Sequence, residues 1–274
     1  MKTLYISDLD GTLLDSRSEV SRFCKETINS LIGCGMNFSF ASARSPYSAA
    51  KATSGLDISF GVVYNGAFIV DMKSGKRLTF NAFEAVKARA VFEAYLSHGI
   101  YPAVFSYIDG LEKCTYHKKL SSPLMIAQRK KDKDDPRLRA VDDAARMLDG
   151  EVFYFSAMGS ESELRPIYDK LKGDFECFYY LDHEKNMSWL EVLPKGVSKA
   201  SSVRALAEML SCERIVAFGD GKNDIPLFEV SDECYAVENA TTEIKEIATE
   251  VIASNDNDGV ARWLGENYKK KGHS

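Results

Sequence analysis

Short unbroken apolar runs lie near both ends of the chain, and segments with helical spacing separate them. Residues 3–7 (TLYIS) and 36–41 (MNFSFA) predict strands, and 20–33, with Val20, Phe23, Ile28, Leu31 and Ile32 as its apolar positions, predicts the helix between them. Strand, helix, strand is the parallel βαβ unit. Another helix is expected after Ser45-Pro46, a serine cap ahead of proline at the first helical position. FGVVYNGA at 60–67 reads as a third strand ending in Asn65-Gly66. The alternation returns after residue 213, with strands at 214–220 (RIVAFGD), 234–238 (CYAVE) and 251–254 (VIAS). Helices are expected there at 224–230, 241–248 and 258–268. The simplest architecture joining two ends of one style is an α/β fold, a doubly wound, Rossmann-like parallel sheet built from both arms.

The middle of the chain has a different pattern. A helix at 82–99 precedes YPAVFSYIDGLEKCTYH, read as two strands around the hairpin signal Asp109-Gly110. EVFYFSAM at 151–158, a helix at 161–172 and FECFYYLD at 175–182 continue an aromatic-rich, antiparallel style. The expectation is a smaller α+β domain at 83–186, inserted into a core made of 1–82 and 187–274. The mixed charge run RKKDKDDPRLR at 129–139 reads as a solvated loop.

Composition narrows the functional classes. The 274 residues are 45% apolar, 11% aromatic and 27% charged, which suits a soluble globular protein with a sizeable core. A formal net charge of -5 argues against a broad nucleic-acid surface, which needs an excess of lysine and arginine to replace phosphate counterions. No apolar run approaches the ~20 residues that span a bilayer, and the first residues enter a strand without a signal-peptide pattern. A cytoplasmic protein, monomeric or weakly dimeric, is therefore expected. Cys24, Cys34, Cys114, Cys177, Cys212 and Cys234 form no C-x-x-C pair, and His98, His117, His183 and His273 are isolated, so neither a disulfide framework nor a zinc site is indicated.

The chemistry concentrates at predicted strand ends. Asp8 and Asp10 stand two apart after the first apolar run, and in extended backbone such side chains point to one side. Alone, D-x-D-G reads as a capped turn. Gly11 permits a sharp exit from the strand and brings backbone N–H groups near an anion. A second acidic cluster follows another apolar strand: Asp220, then Asn223 and Asp224 in FGDGKNDIPLF. Carboxylates from two strand tips suit Mg2+, a hard cation that takes few protein ligands and keeps water or phosphate oxygens. Ser42 at the end of the second strand and Lys199 near a helix start supply the hydroxyl and cation that hold a phosphate.

DLDGTLL at 8–14, ASAR at 41–44, YNGA at 64–67, LPKGVSKA at 193–200 and GDGKND at 219–224 together resemble the haloacid dehalogenase superfamily, specifically Cof-type phosphatases with an inserted α/β cap. The resemblance implies that Asp8 is a nucleophile forming an aspartyl-phosphate and that Asp10 is the general acid and base. It implies that Ser42, Ala43 and Lys199 orient the phosphoryl group, with Asn65 and Gly66 bordering its pocket. Asp8, the main-chain carbonyl of Asp10 and Asp220 would hold Mg2+, with Asn223 and Asp224 beside them. The family usually has Thr-Gly where this chain has Ser42-Ala43, and often Lys-Gly where it has Lys199-Ala200. The inserted domain is expected to close over the pocket and choose the leaving group.

The implied activity is Mg2+-dependent hydrolysis of small phosphomonoesters, sugar phosphates or related phosphometabolites. A phosphosugar mutase on the same scaffold and a phospho-accepting regulatory module are the alternatives. No G-x-x-x-x-G-K-[ST] and no G-x-G-x-x-G after the first strand supports a P-loop or dinucleotide enzyme. All of this requires the tips of the first strand and of the strand before residue 220 to lie side by side.

Overall fold

Strands buried on both faces read as unbroken apolar runs, and in the three-dimensional structure the runs from the two ends of the chain pair with one another. The computed structural model describes residues 1–129, 135–182 and 187–271. In chain order the elements are β1 (Thr3–Ser7), α1 (Arg22–Gly33), β2 (Asn37–Ala41), α2 (Pro46–Ala52), β3 (Phe60–Val63) and β4 (Phe68–Asp71). Then come α3 (Ala85–Leu96), β5 (Ala103–Ile108), β6 (Leu111–His117), α4 (Pro123–Arg129), β7 (Leu138–Val141), β8 (Glu151–Gly159), α5 (Glu161–Leu171), β9 (Glu176–Asp182) and β10 (Met187–Leu193). The last are α6 (Lys199–Met209), β11 (Arg214–Gly219), α7 (Ile225–Glu229), β12 (Glu233–Val237), α8 (Thr242–Ile247), β13 (Glu250–Ile252) and α9 (Gly259–Lys271).

The chain divides into two units, Met1–Phe80 with Ser198–Ser274, and Asn81–Val197. The first holds a seven-stranded sheet in the order β13-β12-β11-β1-β2-β3-β4. All neighbours are parallel except β3 and β4. From β1 the chain steps one way to β2 and β3, and after its return it steps the other way from β11 to β12 and β13. The direction of winding thus reverses between β1 and β11, the switch point where open α/β sheets place their ligands. Ser7 is in register with Phe218, and the N–H of Asp8 donates to the Phe218 carbonyl at 2.9 Å, so the two tips end together.

The third strand is shorter than its apolar run suggests. β3 stops at Val63, and Tyr64–Gly66 turns with positive φ at all three residues before β4 runs back antiparallel. Ser45 caps α2 as the Ser-Pro pair predicts, accepting the N–H of Ser48. No helix among the described residues is long and apolar enough to cross a membrane.

The second unit is a six-stranded sheet, β7-β6-β5-β8-β10-β9, antiparallel apart from the β6–β7 pair. Val104, Phe155, Leu190 and Val192 on one face pack with Val91, Phe92 and Tyr95 of α3 and Leu164, Ile167 and Leu171 of α5. Asp109 and Gly110 both take positive φ, as their hairpin turn demands. Two sequence expectations need correction here. Residues 187–197, assigned to the core, belong to this unit, because β10 pairs with β8 and β9. The end of the charged run is a strand, since Leu138 and Arg139 open β7; residues 130–134 lie outside the described residues. His117 is buried, its Nδ1 accepting the N–H groups of Lys119 and Leu120, and His98 is exposed. His183 and His273 lie outside the described residues. None of the six cysteines is in a disulfide.

Phe218 is fully buried in β11, its ring 5.6 Å from that of Tyr235 and 5.3 Å from that of Trp263. Phe218→Ala is expected to destabilise the protein by about 3–5 kcal/mol. A lowered urea midpoint at unchanged slope checks this, and an unchanged midpoint contradicts it.

Candidate active site

One residue past β1, Asp8 is still extended (φ -62°, ψ 162°) and is 5% exposed. Leu9 turns into the core, and Leu9–Leu13 curls into a single wide turn closed by the N–H of Leu14 on the Leu9 carbonyl. Gly11 makes this possible. Its φ is +76°, and a Cβ there would lie 2.5 Å from Asp220 Oδ2. Thr12 Oγ1 donates to Asp220 Oδ1 at 3.0 Å, tying the turn after β1 to the tip of β11. From the segments after β12 and β13, Asn239 Nδ2 donates to the Gly11 carbonyl and Asn255 Nδ2 to that of Leu14. The N–H of Asn255 in turn donates to Asn239 Oδ1.

Asp220 follows β11 directly, and Asp224 returns to it from the next turn, fully buried. Asp224 Oδ2 accepts the N–H groups of Asp220 and Gly221, both at 3.2 Å. Lys199, the first residue of α6, is 1% exposed and donates from Nζ to Asp8 Oδ1 and to Asp224 Oδ1, both at 2.7 Å. One carboxylate oxygen from each of Asp8, Asp220 and Asp224 lies within 4.8 Å of the others.

The remaining predicted residues form a second group. Ser42 is buried at the end of β2, its N–H on the Val62 carbonyl and its own carbonyl accepting the N–H of Asn65. Ala43, which follows it, is half-buried. Asn65 is fully buried at φ +51°. Gly66 lies against the start of α6: a Cβ would be 2.2 Å from the Ser198 carbonyl oxygen, and Ser202 Oγ donates to the Gly66 carbonyl. A backbone bond thus joins Ser42 to Asn65, and the Ser202 hydroxyl joins Gly66 to the helix that carries Lys199. Asn223 is half-buried in the turn between Asp220 and Asp224.

Asp10 differs from Asp8 in environment. Its side chain is 52% exposed, and Arg44 grips it with two contacts, Nε to Oδ2 at 2.8 Å and Nη2 to Oδ1 at 2.6 Å. Arg44, Asn239 and Asn255 are absent from the sequence-based site. Arg44 stands inside the ASAR segment, and its place just past a strand end was a usable signal; no local pattern points to the two asparagines.

Residues 5–264 match the family of haloacid dehalogenase-like hydrolases. The chain belongs to that family. It is 28% identical over 291 residues to 5-amino-6-(5-phospho-D-ribitylamino)uracil phosphatase YwtE of Bacillus subtilis, covering 97% of this chain and 98% of that one. A haloacid dehalogenase-like hydrolase from Bacteroides thetaiotaomicron superposes with a TM-score of 0.78 at 25% identity, over 97% of this chain and 99% of that one. The HAD subclass IIB sugar phosphatase BT4131 shares the fold, with a TM-score of 0.75 at 19% identity over 97% and 98% of the two chains.

In this hydrolase three buried or half-buried carboxylates face a single ammonium, which leaves two negative charges to balance. Burial raises the Asp8 carboxyl well above its ordinary range; Lys199 opposes this, while Asp224 and Asp220 push it further up. Burial, reinforced by Asp224, lifts Asp220 to about 6. Burial pulls the Lys199 ammonium down, but Asp224 and Asp8 outweigh it and hold the group above the usual lysine value. The surplus charge and the all-oxygen donor set fit a hard divalent cation of the Mg2+ type.

Two outcomes follow. Folded Asp220 titrates above an unfolded aspartate (about 3.9), so the folded chain holds the extra proton between those values. Stability without metal should therefore fall as pH rises from about 4 to about 6, and calorimetry in EDTA, comparing wild type with Asp220→Asn, checks it by a shallower slope in the variant. Lys199→Met leaves Asp8 and Asp224 buried without their counter-ion and should destabilise the fold by about 3–5 kcal/mol, read by urea unfolding.

Proposed function

We propose that the chain is a Mg2+-dependent phosphatase that hydrolyses small phosphomonoesters through an aspartyl-phosphate on Asp8. The observation that carries this reading is the buried trio Asp8, Asp220 and Asp224 with Lys199 bridging two of its members. A carboxylate approaching a phosphate dianion meets a repulsion of about 8 kcal/mol, for charges of one and two about 4 Å apart at an effective dielectric near 20. Only a site rich in positive charge permits that approach. Lys199 supplies part of it, and Mg2+ held by the carboxylates would supply the rest as electrostatic stabilisation.

Asp8, the Asp10 carbonyl and Asp220 are the groups that would hold the ion. Asp224, with Oδ2 on two backbone N–H groups and Oδ1 on Lys199, orients both the lysine and the turn after β11. Asn223 lies in that turn, beside the proposed ion. In the first step an Asp8 oxygen bonds to phosphorus, the ester P–O bond breaks, and Asp10 gives its proton to the leaving oxygen. In the second, Asp10 takes a proton from water as the water attacks the phosphoryl-aspartate. Ser42, the backbone of Ala43 and Lys199 hold the phosphoryl oxygens, and Asn65 and Gly66 fix the wall that carries Ser42 and α6.

Sugar or polyol phosphates are the substrate class, a reading supported by likeness to a phosphatase of a phosphoribityl compound and to a sugar phosphatase. The inserted unit, 81–197, selects among leaving groups in this reading. Six cysteines outside disulfides suit the reducing cytoplasm.

Asp8→Asn should lower phosphate release from a panel of sugar and polyol phosphates about a thousandfold or more. Substantial turnover by that variant would remove the nucleophile assignment. Chelation by EDTA should stop wild-type turnover and excess Mg2+ restore it; activity indifferent to both would refute the metal requirement.

A further inference from the structure

Among the described residues outside the expected site, Arg44 makes two side-chain hydrogen bonds to a proposed catalytic carboxylate. We infer that Arg44 is a positioning residue that fixes the direction of the Asp10 carboxylate, and that proton delivery to a poor leaving group depends on it. The inference deepens the phosphatase reading above and rests on it.

Asp10 needs such a partner because of where it stands. It lies past the end of β1, next to Gly11, with its side chain half in solvent, so packing does not select its rotamer. Asp8 is fixed by burial and by Lys199; Asp10 has the guanidinium instead. The Nε and Nη2 fork of arginine matches the two oxygens of a carboxylate and orients its plane, which a lysine does not do. Arginine also keeps its own proton at any working pH, so it competes for no proton-transfer role.

Arg44 is itself held. Its side chain is 21% exposed, its Nη1 donates to Ser48 Oγ at 3.3 Å, its N–H to Ser42 Oγ at 3.2 Å, and its carbonyl accepts the N–H of Tyr64. The same short loop thus carries the Ser42 hydroxyl and the clamp on Asp10, and one displacement of that loop moves both. Each carboxylate oxygen has two acceptor positions; the guanidinium takes one on each, which leaves an outer lone pair to bear the proton. In the proposed first step that proton passes to the ester oxygen as the P–O bond breaks and the Asp8 O–P bond forms.

The leaving group supplies the test. p-Nitrophenolate departs without protonation, whereas an alkyl alkoxide, as in glycerol phosphate or glucose 6-phosphate, requires it. First-turnover rates of leaving-group release are measured on both kinds of ester for wild type, Arg44→Gln and Arg44→Lys, with Asp10→Asn as the reference for total loss of the acid. The ratio of alkyl to nitrophenyl rates should fall at least about tenfold in Arg44→Gln, within the range that general acid catalysis contributes, and recover in part in Arg44→Lys. Because the ratio is taken within one variant, partial misfolding cancels from it. Equal losses on both esters, or no loss on either, overturn the positioning role while leaving the phosphatase reading intact. A wild type that releases no phosphate from any ester overturns both.

Discussion

A buried ammonium bridging two buried carboxylates sets the terms for the rest of this structure. Lys199 and Asp8 are 191 residues apart along the chain and 2.7 Å apart in space. Neither charge is tolerable alone in a dry interior, since an unpaired buried ion costs several kcal/mol. The pairing is nevertheless incomplete, because Asp220 adds a third carboxylate within 4.8 Å of the other two. Burial, reinforced by the neighbouring carboxylates, raises the proton affinity of Asp8 and Asp220. A site stressed in this way attracts positive charge, and with it in place tolerates an incoming phosphate.

The topology exists to keep those groups together. β1 is flanked by β2 on one side and β11 on the other, and the reversal of winding opens a crevice at their carboxyl ends. Close backbone approaches then deliver the side chains. Gly11 lets the first turn pass against Asp220, and Gly66 lets the turn after β3 pass against the start of α6. Because residues 81–197 form a unit of their own, the two arms that meet in the sheet are separated by more than a hundred residues of independent structure. Long-range pairing of this kind is slow to form but specific once made.

Two aspartates two positions apart end in opposite environments, and the proposed reaction uses that difference. Asp8, dry and paired, has the fixed direction an attacking atom needs. Asp10, half in solvent and held by the Arg44 guanidinium, has the access to water that a proton carrier needs. The equivalence suggested by their spacing is lost because β1 ends at Ser7, and the backbone beyond it follows the turn around Gly11 rather than strand geometry.

Buried strands were legible in the sequence because a parallel sheet covered on both faces leaves continuous apolar runs, as in LYIS and IVAF. So were the acidic tips and the lysine at a helix start, because each depends on residue type and local order. β10 escaped notice because Ser188, Trp189 and Glu191 break its apolar pattern, and its pairing with β8 and β9 is a long-range choice. The strand end at Val63 was partly hidden, since Tyr64 takes a positive φ that its residue type does not favour, although Asn65-Gly66 suits such a turn. Asn239 and Asn255 acquire meaning only through partners far along the chain, and the local signal at Arg44 does not name Asp10 as its partner. The amino-acid order alone thus determined which groups could do chemistry; tertiary structure alone decided which of them share a charge, because Coulomb and hydrogen-bond energies depend on distances that sequence separation does not contain.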